Sequence, residues 1–211
     1  MAQEARLEEG TLYHPIAIVE GEIGNIGNST IGAADSQLPS IDIWGSNIYR
    51  GMSFGTLFTE YAAKSSKAFW ISEYGIDAFH TVSPQYSPGK GYEDQASQAD
   101  WDGKLWDEIA AAYAINQTVG GTVFVYSDTW WPPYQWICAA QSHVCNSEQN
   151  HFGTGPTFNC DGSPGWTPPF PDQYNHVEWF GIVSLSPHPT DPYGPDVVTP
   201  RQVYYTLKNK W

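Results

Sequence analysis

Basic side chains are scarce in this sequence. Its 211 residues include nine Lys and Arg against twenty-three Asp and Glu, which gives a formal net charge of −14 at pH 7. A surface of that sign repels the phosphates of nucleic acids and the head groups of anionic lipids. We therefore expect no nucleic-acid partner and no association with a membrane surface.

Long apolar runs are missing as well. No stretch reaches the roughly eighteen apolar residues that a membrane-spanning helix needs, and the opening segment MAQEARLEEG is polar where a secretory signal has an apolar core. We expect no membrane span and no signal peptide in this chain. The compartment, extracellular or cytoplasmic, is left open.

Cysteine and metal-binding patterns are sparse. The three cysteines, Cys138, Cys145 and Cys160, lie in one stretch rich in Gly, Pro and Asn. An odd number permits one disulfide with one thiol left over, and the pairing stays open. No C-x-x-C pair occurs, and the six His residues form no H-x-x-x-H pair. We expect neither a metal nor another cofactor.

Aromatic side chains, in contrast, are abundant. Ten Trp, thirteen Tyr and nine Phe make up 15% of the chain. Such rings fill large cores, and their flat faces are also surfaces on which sugar rings stack. The length, together with 41% apolar residues, predicts a single domain over residues 1–211 with a substantial core.

Short apolar strands alternate with helices along the chain. We predict strands at 16–19, 41–49, 68–72 and 122–126, and helices at 2–9, 56–64, 94–116 and after Pro200. A polar loop precedes Asp94, a long loop insertion covers about 132–177, and a short apolar segment covers 179–185. This alternation is typical of parallel sheets that are buried on both faces. The fold class is therefore α/β, with about four βα units.

Polar side chains collect at or just after the ends of the predicted strands. They are Glu20, Asn47, Tyr49, Glu73, Asp128 and Trp130. In a (β/α)₈ barrel that end of the strands is the catalytic face. A doubly wound sheet is the alternative, but no G-x-G-x-x-G follows any strand. Four units amount to half of such a barrel.

Three segments carry a specific resemblance. They are DIWGSNIYRG at 42–51, ISEYGID at 71–77 and GGTVFVYSDTWW at 120–131. They resemble strands six, seven and eight of the catalytic barrel of retaining glycoside hydrolases. The nearest likeness is to family 2, which includes β-galactosidases and β-glucuronidases, and a second is to the β-1,3-glucanosyltransferases of family 72. The resemblance covers roughly residues 11–131 and 178–211 and implies strands five to eight, a partial (half) TIM barrel.

The resemblance also implies roles for single residues. It makes Glu73 the nucleophile, places Asn47 and Tyr49 beside it, with Tyr49 donating a hydrogen bond to Glu73, and makes Trp130 or Trp131 a platform under a β-linked sugar. The acid/base of these families is a Glu that follows an Asn at the end of strand four, and this chain has no Asn-Glu pair. We expect strands one to four to precede Met1, and the acid/base to be absent from this chain or supplied by another subunit.

Other interpretations of these residues stay open. Glu20 and Asp128 are carboxylates at strand ends. They are the candidates within this chain for the acid/base and are expected to line the sugar site, although an Asp before Thr129 is as often a turn former. Glu73 is alternatively a partner of Arg50, and Asn47 and Tyr49 are alternatively a hydrogen-bonded core pair.

The sequence thus favours a glycosidase or transglycosidase that acts on β-linked sugars by a retaining mechanism. A carbohydrate-binding or scaffold protein without turnover is the alternative, and a truncated gene product is another. Because four units leave two open strand edges, we expect a homo-oligomer that completes the barrel.

Overall fold

The computed structural model describes residues 1–81, 91–129, 144–146, 157–159, 171, 179–191 and 193–211. The helices are α1 Ala2–Glu9, α2 Leu57–Ala62, α3 Gln95–Ala114 and α4 Gln202–Lys210. The strands are β1 Ala17–Glu20, β2 Ile43–Asn47, β3 Ala68–Tyr74, β4 Phe79–Thr81, β5 Gly91–Glu93, β6 Gly121–Val123, β7 Val144–Asn146, β8 Thr157–Asn159, β9 Val183–Ser186 and β10 Val197–Pro200. Within this described part of the chain, no helix has the length and apolar character needed to cross a membrane.

The chain divides into two compact units. Unit 1 consists of Met1–Tyr74 and Leu105–Val123, and unit 2 consists of Gly75–Lys104 and Phe124–Trp211. A single domain over 1–211 stays a prediction.

Unit 1 contains a four-stranded sheet in the order β1-β2-β3-β6. Each neighbouring pair of strands is parallel. The α/β class with a parallel sheet, predicted from the alternation of apolar strands and helices, is confirmed. The strands follow one another across the sheet in chain order.

One face of this sheet is buried. Its inward side chains include Trp44, Phe69 and Ile71, all at most 2% exposed. Further buried side chains of unit 1 lie on α2 and the second part of α3: Leu57, Tyr61, Leu105 and Ile109. The Tyr61 and Phe69 rings stack with their centroids 4.1 Å apart. The opposite face is more open, since Val19 is 50% exposed there.

Unit 2 is built on antiparallel pairs. β4 pairs with β5, β7 with β8, and β9 with β10. Its core side chains include Ile76, Phe180, Ile182, Val203 and Leu207.

Two predictions about strands require correction. The segment before Asp94 is not only a polar loop, because β4 and β5 pair within it. The last predicted strand of the sheet ends earlier than expected, at Val123. Beyond that residue the chain pairs with another segment: the amide of Val125 donates to the carbonyl of Phe180, and the amide of Ile182 donates to that of Val125.

Helix α3 begins where the sequence predicts it. Both carboxylate oxygens of Asp94 accept hydrogen bonds from Ser97, one from its amide at 3.0 Å and one from its hydroxyl at 2.7 Å. An Asp in this position satisfies a backbone donor that the first helical turn leaves unpaired. The amide hydrogen bond from Ser97 lowers the pKa of Asp94.

A carboxyl group lies on the buried stripe of α3. Asp102 is 0% exposed, between the buried Trp101 and Leu105. Burial raises the pKa of Asp102 well above its usual range; the amide of Ile76 opposes this rise, and the charge of Asp77 adds to it. Asp102 is therefore protonated in the folded chain at pH values where it is ionised in the unfolded chain.

We predict that Asp102→Asn stabilises the fold at neutral pH. As pH rises above about 4, the unfolded wild-type chain releases the Asp102 proton and the folded chain keeps it, so folding loses up to about 1.4 kcal/mol per pH unit until the folded-state pKa is reached. Asn has the shape of the protonated acid and does not titrate. Urea unfolding from pH 4 to pH 8 should show the gain of the variant over wild type growing with pH. A gain that is constant or falls with pH would contradict this assignment.

Candidate functional site

Three polar side chains stand at the carboxyl ends of adjacent strands in unit 1. Glu20 ends β1, Asn47 ends β2, and Glu73 lies one residue before the end of β3. The Cα of Glu20 pairs with that of Ser46, and the Cα of Asn47 with that of Glu73. The parallel sheet therefore brings these predicted residues to one edge.

A β-bulge at Ser72 shapes this edge. Ser46 pairs with Ile71, but the next residue, Asn47, pairs with Glu73, so that Ser72 is an extra residue in β3. A bulge interrupts the alternation of side chains and can turn two successive ones to the same side. Ser72 and Glu73 accordingly both reach side chains of the β2 segment.

Two hydrogen bonds connect the bulge to that segment. The hydroxyl of Ser72 donates to Oδ1 of Asn47 at 2.7 Å, and the hydroxyl of Tyr49 donates to Oε2 of Glu73 at 3.0 Å. The contact expected between Tyr49 and Glu73 is thus present. The hydrogen bond from Tyr49 fixes the position of this carboxylate oxygen at the edge of the sheet.

The alternative partner of Glu73 is engaged elsewhere. Arg50 donates through Nε to Glu22 at 2.6 Å and through Nη2 to Glu60 at 2.9 Å. The structure therefore pairs Arg50 with Glu22 and Glu60 instead of with Glu73.

Asn47 is held in one orientation. Because Oδ1 accepts the Ser72 hydrogen bond, the two N–H groups of the amide are turned away from that contact. Asn47, Tyr49 and Glu73 are each only partly buried. The arrangement offers amide donors and a carboxylate to a molecule bound at this edge.

Glu20 lies on the edge strand of the sheet. Its Oε1 accepts a hydrogen bond from Nδ2 of Asn25 at 2.9 Å. With strands about 4.8 Å apart, its backbone is about 10 Å from that of Glu73 across β2. Its place in a sugar site stays a prediction.

Asp128 belongs to unit 2 and is 0% exposed. Arg201, also 0% exposed, donates to both of its oxygens, from Nη1 at 2.5 Å and from Nη2 at 2.8 Å. Arg201 also pairs with Glu93 at 2.6 Å. Burial raises the pKa of Asp128, and the hydrogen bonds from Arg201 limit that rise. Sugar binding by Asp128 stays a prediction, and the ion pair favours a structural role instead.

The predicted platform residues Trp130 and Trp131 lie outside the described residues, and so do Cys138 and Cys160. In the described part of the chain, no group of three or more His, Cys, Asp and Glu side chains gathers as metal ligands would.

Sequence reasoning missed Ser72 and Arg201. Ser72 precedes the predicted nucleophile, but a single sequence carries no sign of a bulge. Arg201 follows Pro200 at the start of a helix, and its partner Asp128 lies 73 residues earlier in the chain. Only the scarcity of basic residues hints that an Arg so placed has a special partner.

We predict that Asp128→Ala destabilises the protein by about 3 kcal/mol, because it leaves the buried Arg201 with Glu93 as its remaining acidic partner. The control is Asp100→Ala, which removes the exposed ion pair of Asp100 with Lys104 and should cost at most about 1 kcal/mol. Urea unfolding followed by circular dichroism measures both. Equal small losses in the two variants would contradict a structural role for Asp128.

No family model and no curated protein matches this chain. Among solved structures, a β-glucuronidase of Ruminococcus gnavus is similar over 100% of this chain and 28% of its own, with 11% identity and a TM-score of 0.46. A β-glucuronidase of Bacteroides uniformis is similar over 58% of this chain and 14% of its own, with 18% identity and a TM-score of 0.36. Bacteroides uniformis β-glucuronidase 2, covalently bound to cyclophellitol-6-carboxylate aziridine, is similar over 60% and 15%, with 17% identity and a TM-score of 0.36. The chain spans less than a third of each of these proteins.

Proposed function

We propose that this chain forms part of the active site of a retaining β-glycosidase or transglycosidase, with Glu73 as the nucleophile. The observation that carries the proposal is the Tyr49–Glu73 hydrogen bond at the carboxyl edge of a parallel sheet, which the bulge at Ser72 makes possible. Bulges are frequent beside active sites, where they redirect a side chain.

The retaining mechanism uses two carboxyl groups, and we assign Glu73 the role of the nucleophile. Its carboxylate attacks the anomeric carbon, the bond from that carbon to the leaving oxygen breaks, and a glycosyl ester forms. The leaving oxygen takes a proton from a second carboxyl group, about 5–5.5 Å from the first in retaining enzymes. In this proposal the acid/base is supplied by a part of the barrel outside this chain's residues or by another subunit. Asn47 and Tyr49 hold the sugar beside Glu73.

The proposed architecture is half of a (β/α)₈ barrel. Support comes from the sheet order β1-β2-β3-β6, in which consecutive parallel strands lie side by side. A barrel adds strands in chain order in this way, whereas a doubly wound sheet reverses its order at a switch point.

A second candidate is a carbohydrate-binding or scaffold protein without turnover, which a truncated gene product would also resemble. Glu20 is the second carboxylate at the carboxyl edge of β1–β3, and its Oε1 accepts a hydrogen bond from Asn25. This contact favours the second candidate, because it engages the carboxylate that would otherwise be the nearest partner for Glu73 in catalysis. A site that binds sugar through Asn47 and Tyr49 needs no second catalytic carboxyl group.

We predict that a mechanism-based 2-fluoroglycoside forms one ester, on the peptide that contains Glu73. Such a reagent has a good leaving group, so the label depends on the nucleophile more than on the acid. Glu73→Gln should remove the label and any hydrolysis while the fold persists, because Gln matches the shape of Glu and lacks its charge. Intact-mass and peptide mass spectrometry measure the result.

Glu20→Gln is the matched control for this experiment, and it should keep the label. A label on Glu20 or Asp128, or hydrolysis retained by Glu73→Gln, would contradict the assignment of the nucleophile. Sugar binding without any label would favour the second candidate.

We also propose that the chain self-associates. β1 is an edge strand of the sheet, and its Ile18 and Val19 are 38% and 50% exposed. Exposed apolar edges pair with other strands unless a charge blocks them.

Light scattering at micromolar concentration should therefore give a mass above that of one chain, 23.5 kDa. Ile18→Lys should shift the distribution toward the monomer. Tyr205→Lys is the control: it changes an exposed aromatic side chain of unit 2 and should leave the distribution unchanged. A wild-type chain that is monomeric throughout and melts cooperatively would refute self-association.

A further inference from the structure

The side chain of Trp70 lies on the open face of the unit 1 sheet, close to the Glu73 site. Trp70 is on β3, in register with Gly45 of β2, and Ser72 follows on the same face. A β-carbon built on Gly45 would lie 3.2 Å from Cε3 of Trp70 and 3.5 Å from Cβ of Ser72. The indole is therefore about 7 Å from the bulge along the strand.

The indole lies across the strands rather than along them. Its six-membered ring approaches Gly45 on β2, and its Nε1 donates to Oγ1 of Thr122 on β6 at 3.2 Å. β2 and β6 are the two neighbours of β3 in the sheet. Trp70 thus covers the open face of β3 from one neighbouring strand to the other, and the Thr122 contact fixes its rotation.

Gly45 is needed for this placement. A β-carbon there would lie 2.9 Å from Cγ2 of Val19, in addition to its close approach to Trp70. Real side chains essentially never pack at the first distance, so any other residue at position 45 would displace Val19 or the indole. Because Gly45 has no side chain, the six-membered ring of Trp70 can pack directly against the backbone of β2.

Polar side chains lie next to the Trp70 indole, on the side toward the carboxyl ends of the strands. Ser72 and Asn47 come next on the same face, and Tyr49 and Glu73 follow. A flat apolar surface beside several hydrogen-bonding groups suits a pyranose ring, which has an apolar C–H face and a rim of hydroxyls. A lipid or an apolar peptide has no hydrogen-bonding groups to match this polar border.

The cations of unit 1 are all engaged. A ligand carboxylate, sulfate or phosphate needs a Lys or Arg to pair with it. The partners within unit 1 are Asp42 for Arg6, Glu22 and Glu60 for Arg50, the Gly24 carbonyl for Lys64 and the Ile41 carbonyl for Lys67. The described site offers the carboxylate of Glu73, which would repel an anionic sugar at close range.

We propose that Trp70 is a stacking platform for an uncharged pyranose ring, held beside Glu73 by Asn47 and Tyr49. This inference rests on the proposed function for the class of ligand, a sugar. It adds two points: Trp70 is the surface on which the sugar stacks, and the sugar carries no charge. It concerns binding alone and involves no bond-making step.

The experiment compares two glycosides that differ only at C6. Methyl β-D-glucopyranoside carries a hydroxymethyl group there, and methyl β-D-glucopyranosiduronate carries a carboxylate. Each is titrated into the full ¹⁵N-labelled chain while the indole Nε1 resonance of Trp70, assigned with Trp70→Phe, is followed. The neutral glycoside should shift that resonance and bind at least about tenfold more tightly than the uronate, because the uronate brings an unpaired charge next to Glu73.

Two variants test the platform itself. Trp70→Ala should weaken binding of the neutral glycoside about tenfold, since the stacking surface is removed. Thr122→Val, on the solvent side of β6, keeps the fold and releases the indole, and it should weaken binding several-fold. The control is Trp44→Phe, because Trp44 is 2% exposed on the opposite face of β2. It should leave the affinity unchanged.

These readouts are independent of turnover. A label on Glu73 together with unchanged affinity in Trp70→Ala would retain the nucleophile and overturn the platform. Tight binding that depends on Trp70, without a label on Glu73, would retain the platform and overturn the nucleophile. Uronate binding as tight as that of the neutral sugar would overturn the inferred charge, and a Trp70 resonance that neither glycoside shifts would overturn the proposal as a whole.

Discussion

The candidate site depends on one irregularity, the extra residue Ser72 in β3. Without it, strict alternation would put Ser72 and Glu73 on opposite faces of the sheet. The bulge lets Ser72 contact Asn47 while Glu73 contacts Tyr49. Just before this shift, Trp70 and Gly45 are still in regular pairing. A regular sheet thus supplies the rigid base, and one irregular residue directs the carboxylate.

Sequence patterns located the elements of unit 1 because each has a local signal. The run Ala68–Ser72 is apolar and bounded by polar residues, and the α3 segment carries apolar side chains at helical spacing with Asp94 as a cap. Asn47, Tyr49 and Glu73 were selected by their positions at strand ends together with the resemblance of their segments to glycoside hydrolase barrels, and their roles stay predictions. The bulge had no such signal, since it arises from the pairing of two strands and not from the composition of one.

Unit 2 was harder to predict for a related reason. Its strands, such as β4 and β5 or β9 and β10, are only three or four residues long, which is too short for a clear alternation of apolar and polar side chains. The Asp128–Arg201 pair joins residues 73 positions apart, and each half has an ordinary local meaning, a turn former and the residue after a proline. Local patterns therefore gave no sign of this buried ion pair, and sugar binding by Asp128 stays a prediction.

The shortage of cations links the stability of this chain to the character of its site. With nine Lys and Arg for twenty-three acids, every basic residue of unit 1 is engaged by an internal acid or carbonyl, as is Arg201 of unit 2. A buried pair such as Asp128–Arg201 cannot release its Arg without a large loss of stability. The described cations of unit 1 are committed to internal contacts, which supports the proposal that a ligand at the sheet edge is held by aromatic surface and neutral hydrogen bonds. The aromatic richness of the sequence and its scarcity of basic residues thus favour the same kind of ligand.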